Sequence, residues 1–154
     1  MTRASTCITF EAAPSAILEG TMIMTLKGAI PVQFLRAGDR VITRSGAVSL
    51  REISHRRISS GQVVRVREGA LGHDRPQSEL TLFAQQPVVV RGWRAKAIYG
   101  SDVAIVPASR LVDGDFIRLE VSHALTLYTL TFERAEVVIA DGAELACAPE
   151  LVAA

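Results

Sequence analysis

Along this chain apolar residues come in short runs, many alternating with polar ones, and Gly, Asp or Pro breaks each run. Alternation marks a strand with one buried face, because successive side chains leave a strand on opposite sides. In Gln62-Val63-Val64-Arg65-Val66-Arg67 the pattern turns Val64 and Val66 to a core and Arg65 and Arg67 to water. In Leu125-Thr126-Leu127-Tyr128-Thr129-Leu130-Thr131-Phe132 threonines interleave with Leu, Tyr and Phe in the same way. The pattern predicts strands over 21–25, 40–44, 48–53, 62–67, 80–83, 88–91, 103–106, 115–120, 125–132 and 136–140. Strands this short and this closely spaced predict an all-β sandwich or barrel-like body. Helix is confined to one-turn pieces after Pro31 and Pro107, because proline suits a first helical turn. Met22 and Met24, two residues apart in the first strand, read as core filler.

Those two prolines open an internal repeat. Pro31-Val-Gln-Phe-Leu35-Arg-Ala-Gly38-Asp39-Arg-Val41 matches Pro107-Ala-Ser-Arg-Leu111-Val-Asp-Gly114-Asp115-Phe-Ile117 as P-x-x-x-L-x-x-G-D-x-[VI]. One physical account serves both copies: proline starts a turn, leucine enters the core, glycine supplies a positive φ at the exit, and a strand follows. Asp39 and Asp115 then bond to local backbone in the turn and are no catalytic pair. The repeat implies two similar halves related by a pseudo-two-fold and sharing one core.

Composition narrows the range of functions. The chain has 154 residues, 49% hydrophobic and 21% charged, with a mean hydropathy of +0.26. That is one domain's length with ample core, and it excludes intrinsic disorder. Seventeen Lys and Arg against sixteen Asp and Glu leave a net charge of +1, without the basic excess that nucleic-acid binding draws on. Cys7 and Cys147 stand near opposite ends, and His55, His73 and His123 are scattered, so no metal-ligand spacing arises. His73-Asp74-Arg75-Pro76 reads as a surface loop. No apolar run reaches the ~18 to 20 residues of a membrane span, and no signal-peptide pattern opens the chain. The expectation is a soluble protein, cytoplasmic by default, without metal or cofactor.

Three ordered segments then bring in a resemblance: Glu19-Gly20-Thr21-Met22-Ile23-Met24-Thr25, Gly28-x-x-Pro31-Val32 and Leu35-x-x-Gly38-Asp39-Arg40-Val41-Ile42-Thr43-Arg44. Gly69-Ala70-Leu71-Gly72, Arg91-Gly92-Trp93, Leu111-Val112-x-Gly114 and Phe132-x-Arg134-x-Glu136-Val137-Val138-x-Ala140-x-Gly142 follow in register. Together they resemble the Hint (Hedgehog/intein) domain of bacterial proteins outside the true inteins. The resemblance implies a mostly β, compact, Hint-like fold of short twisted strands with pseudo-two-fold halves and very little helix. It covers residues 14–147, leaving 1–13 as a leader and 148–154 as a tail, with little chain to splice.

The family's chemistry is self-cleavage or splicing. A Cys or Ser at the domain's first position attacks the carbonyl before it, and a His helps the amine leave. The resemblance places that nucleophile four residues before the Gly-Thr pair, at Ala16, where a methyl group cannot attack. The family's L-S-P-Q-H stretch reads Leu82-Phe83-Ala84-Gln85-Gln86, so Gln86 stands for the His and Phe83 for the helpful hydroxyl. Gln86 can donate a hydrogen bond but cannot transfer a proton near neutral pH. The family's later H-x-x-x-x-x-H spacing falls on Thr129 and Ala135. The expectation is therefore a domain that keeps the scaffold and has lost autoprocessing, a structural or interaction module whose partner would be a peptide or another protein. Ala16, Gln86, Thr129 and Ala135 should converge around a pocket, with no strongly shifted titratable group there.

Two alternatives remain. Ser15, one residue from Ala16, offers a hydroxyl as a non-standard nucleophile for self-cleavage. Arg51-Glu52-Ile53-Ser54-His55-Arg56-Arg57 is the basic cluster through which the chain would bind nucleic acid or another anion, though on a strand those charges face solvent. Cys147 reads as packing or a free thiol, and Cys7 as part of the leader. Trp93 and Tyr99 either flank a groove or pack in the core or its rim.

Overall fold

Two strands of 15 residues, one from each half of the chain, organise the molecule. The computed structural model describes residues 14–71 and 76–148, which places Cys7, His73, Asp74 and Arg75 outside the described residues. Strand β1 (Ile17–Leu18) leads into the hairpin of β2 (Met22–Thr25) and β3 (Gly28–Pro31), then β4 (Arg40–Thr43) and β5 (Gly46–Ser49). The long β6 (Glu52–Val66) follows, then β7 (Leu80–Phe83), β8 (Pro87–Arg91), helix α1 (Trp93–Tyr99) and β9 (Val103–Pro107). The second long strand, β10 (Ile117–Thr131), precedes the closing hairpin of β11 (Glu136–Ala140) and β12 (Ala143–Cys147).

One antiparallel sheet runs β1-β10-β6-β7, and the other runs β3-β2-β4-β11-β12-β8-β9 with β5 beside β4. The all-β expectation holds. β6 and β10 pair from Glu52↔Thr131 to Val66↔Ile117, where the sequence pattern predicted four separate shorter strands. Periodicity reports burial, and most side chains from Ser54 to Ser60 are exposed. Ladder hydrogen bonds hold that stretch in strand form without a buried face. Ala124 sits at φ 57° in the middle of β10, and this local break interrupts the alternation there. Residues 48–53, predicted as one strand, divide between β5 and β6, because Leu50 drops into the core (1% exposed).

The repeat appears as two matching units. Pro31 and Pro107 each end a strand and open a 3-10 turn, Val32–Phe34 and Ala108–Leu111. Gly38 and Gly114 lie at φ 96° and 83°, a region glycine enters without steric cost. Leu35, Val41 and Ile117 are buried, and Leu111 packs at the core's edge. Asp39 accepts the Arg36 N–H as expected. In the second copy that local role belongs to Asp113, which accepts the Asp115 and Ile117 N–H groups, and not to Asp115.

Between the sheets lie Phe132, Leu130, Ile17, Ile23, Leu145 and Val138, all essentially inaccessible. Met22 and Met24 are not core: the odd residues Ile23 and Thr25 turn inward, and Met24 is exposed. Thr25 is taken inward by its hydroxyl, which donates to the Gly28 carbonyl in the hairpin turn. The α-helix at Trp93–Tyr99 and strands β1, β3 and β12 were not foreseen in the sequence pattern. No helix among the described residues is long and apolar enough to cross a membrane.

Candidate functional site

β1 lies antiparallel to β10, with Ile17 opposite Tyr128 and Leu18 opposite Leu127, so the residues just before β1 run on beside Thr129 and Leu130. There the Ser15 hydroxyl accepts the Leu130 N–H at 3.0 Å and lies 3.4 Å from the Leu130 carbonyl. A side chain thus continues the ladder where main chain leaves it. Ser15 is 1% exposed.

The peptide bond between Ser15 and Ala16 is held at both polar atoms. The Thr129 hydroxyl donates to the Ser15 carbonyl at 2.9 Å. The Ala16 N–H donates to Gln86 Oε1 at 2.7 Å. Gln86 is in turn fixed, its Nε2 donating to the Pro87 carbonyl at 2.7 Å and the Ala146 carbonyl at 3.2 Å. Its main chain is tied as well: its N–H bonds to Phe83 O, and its carbonyl accepts from Ala108. With 0% exposure, this amide has a partner at every polar group, as a buried amide requires. The Ala16 methyl packs with Phe83 and Leu127, so Phe83 supplies apolar cover where the resemblance expects a hydroxyl.

Of the four positions derived from the resemblance, Ala16, Gln86 and Thr129 therefore meet around one peptide bond. Ala135 stands apart: it is half-buried just before β11, and no hydrogen bond joins it to that peptide among the described residues. None of the three lines either of two well-formed cavities, which lie elsewhere, one beside α1 and one beside Glu19, Glu79 and Asp141. Gln86 reaches from the Ala16 N–H to the Ala146 carbonyl.

A group outside those four positions lies close by. Cys147 faces Glu136 across the β11–β12 ladder, and its thiol is wholly buried. Burial pushes its pKa up to about 12; the Ser15 hydroxyl pulls it down and the Glu136 charge raises it further. A strongly shifted group at the site is a correction to expectation. Glu136 is itself buried, and its Oε1 has no hydrogen-bond partner among the described residues. The signal for this pair was the closing segment Ala143-Glu144-Leu145-Ala146-Cys147, whose small residues hide a fully buried strand.

Chemically, the arrangement holds one peptide bond at both its carbonyl oxygen and its N–H. Thr129 polarises the carbonyl as an oxyanion donor would. At the nitrogen, however, Gln86 presents an acceptor oxygen, which cannot deliver a proton to a departing amine. Ser15 Oγ is occupied by Leu130, and the Cys147 thiol is held protonated. The basic residues Arg56 and Arg57 with His55 lie on the exposed stretch of β6, and His55 stacks on Tyr128 with ring centroids 5.5 Å apart.

Comparison with known proteins agrees with this fold. The profile of a family described as "Hint domain" matches residues 15–147. Among solved structures, a bacterial intein-like domain from Clostridium thermocellum is similar in fold, with a TM-score of 0.63 and 17% identity over 88% of this chain and 99% of that one. The MchDnaB-1 intein gives a TM-score of 0.54 at 9% identity, covering 86% and 99%. The gp41-1 intein gives 0.51 at 8%, covering 87% and 98%. At such identities the likeness speaks to fold alone. No curated protein matches the chain.

Proposed function

This chain belongs to the Hint-domain family, and from that membership we propose that it is a Hint domain which keeps its junction peptide whole and serves as a structural or interaction module. The observation that carries the reading is the clamp on the Ser15–Ala16 bond. Gln86 accepts the Ala16 N–H at 2.7 Å and Thr129 donates to the Ser15 carbonyl at 2.9 Å, around a residue whose side chain is a methyl. Acyl shift needs a thiol or hydroxyl at that residue and an acid at its nitrogen. Neither group stands there. What remains of the site holds β1 onto β10 and β12, so its residues act as stabilising cross-links.

The experiment is intact-mass spectrometry of the purified chain, incubated for days at neutral pH with dithiothreitol or hydroxylamine. A single mass equal to the whole chain is expected. A cut at Ser15–Ala16, or one before Ser15 that a Ser15→Ala variant abolishes, would overturn the proposal in favour of a processing domain.

A further inference from the structure

The chain has one tryptophan, and the fold leaves it 76% exposed, with Ile98 of the same helix 68% exposed. Leaving large apolar side chains in water forgoes burial worth about 1.5–3 kcal/mol each, and exposed tryptophans concentrate at binding surfaces. Helix α1 is anchored from its other side, where Ala95 is buried against Val90 and Val106. The anchoring leaves Trp93, Ile98 and Tyr99 on the wall of a cavity of about 320 Å³. Leu111, Val112 and Ile117 from the second repeat unit line it as well. That volume is near the bottom of the roughly 300–1,000 Å³ typical of small-ligand sites. It suits a small molecule.

The charges around this cavity are unevenly committed. Glu144, 5% exposed, takes Arg91 Nε on both carboxylate oxygens at 2.9 Å and lies 3.3 Å from Arg44. Asp113 spends a carboxylate oxygen on the Asp115 and Ile117 N–H groups, and those bonds hold its pKa below the usual carboxylate range. Glu144 is thereby neutralised by two arginines, and Asp113 is held by backbone N–H groups. Arg110, on the same wall at the end of a 3-10 turn, makes no hydrogen bond or ion pair among the described residues. A hollow with Trp93, Ile98 and Leu111 on its wall and, among the described residues, a guanidinium outside any ion pair complements an apolar body that ends in an anion.

We propose that this cavity binds a small apolar carboxylate, its hydrocarbon or ring body between Trp93, Ile98, Tyr99 and Leu111 and its carboxylate on Arg110. The site is independent of the junction peptide, and neither the family match nor the clamp implies it.

Because Trp93 is the sole tryptophan, its fluorescence reports this site directly. Titrating the full chain with sodium octanoate should give a saturable blue shift of the emission as the indole leaves water. 1-Octanol, which lacks the charge, should bind at least tenfold more weakly. The exposed-site variant Arg110→Glu should lose octanoate binding by at least tenfold, while Arg118→Glu, exposed on β10, should keep it. No saturable shift at millimolar octanoate, or equal response to octanoate and octanol, would overturn the proposal; the octanol comparison uses the unaltered chain and so survives any folding defect in the variants. Undiminished binding by a folded Arg110→Glu variant would overturn it too.

Discussion

Replacing Gln86 with leucine removes the clamp while keeping most of the side-chain volume. The change deletes three hydrogen bonds, from the Ala16 N–H and to the Pro87 and Ala146 carbonyls, at a residue with no exposed surface. An orphaned buried donor costs about 1–3 kcal/mol. Carbonyls suffer less, since each has two lone pairs and two of these residues lie in ladders. The sum is about 3 kcal/mol, a large share of the 5–15 kcal/mol that holds a domain together. For a domain of this size it corresponds to a fall in Tm of about 6–12 °C. Urea unfolding followed by circular dichroism measures it, with Gln85→Leu, at the exposed neighbour, as a control expected to change stability by less than about 0.5 kcal/mol. A Gln86→Leu loss below about 1 kcal/mol would refute the claim that Gln86 ties β1 to the rest of the fold.

Two further predictions concern buried ionisable groups. The Cys147 thiol titrates near 12 in the fold against an ordinary 9.0, so its contribution to stability is full below pH 9 and is lost as pH rises toward 12. In a Cys7→Ser background, the unfolding free energy of the protein relative to its Cys147→Ala variant should fall by roughly 1 kcal/mol between pH 8 and pH 10; a flat difference would show that the thiol is not desolvated. Glu144→Gln breaks the pairing of a buried carboxylate with Arg91 and Arg44. Because both arginines keep solvent contact, the expected cost is about 2 kcal/mol, below the 3–5 kcal/mol of a fully buried pair. An unchanged urea midpoint would count against that network.

How far the sequence carried the fold is clearest at the repeat. The two P-x-x-x-L-x-x-G-D units declared their own turn and strand, since proline, glycine and leucine each have one local job there. The long ribbon of β6 and β10 was hidden because its centre, Ser54 to Ser60, has no buried face to write a period into the sequence. β12 was hidden for the opposite reason: all five residues are buried, so nothing alternates, and Glu144 within it looks like a surface residue until Arg91 and Arg44 are seen beside it. At the junction, Ala16, Gln86 and Thr129 were reachable through the resemblance, but which atoms of Gln86 face the peptide was not. That depends on Pro87 and Ala146 taking both its amide hydrogens, a long-range fact. Trp93 and Tyr99 left their two readings open, and the structure gives the groove.

If the scaffold is intact and only two side chains keep the Ser15–Ala16 bond from breaking, restoring both should restore scission. The decisive comparison sets the unaltered chain beside the double variant Ala16→Cys/Gln86→His, both folded by circular dichroism, and reads intact mass after incubation with dithiothreitol at neutral pH. In the variant, the introduced thiol can attack the Ser15 carbonyl held by Thr129, and the introduced imidazole can protonate the departing nitrogen of residue 16. Dithiothreitol then takes the acyl group from sulfur. One whole-chain mass is expected for the unaltered protein and, for the variant, two fragments parted between residues 15 and 16. Scission of the unaltered chain, or a folded variant that stays whole, would show that something other than these two side chains governs the bond.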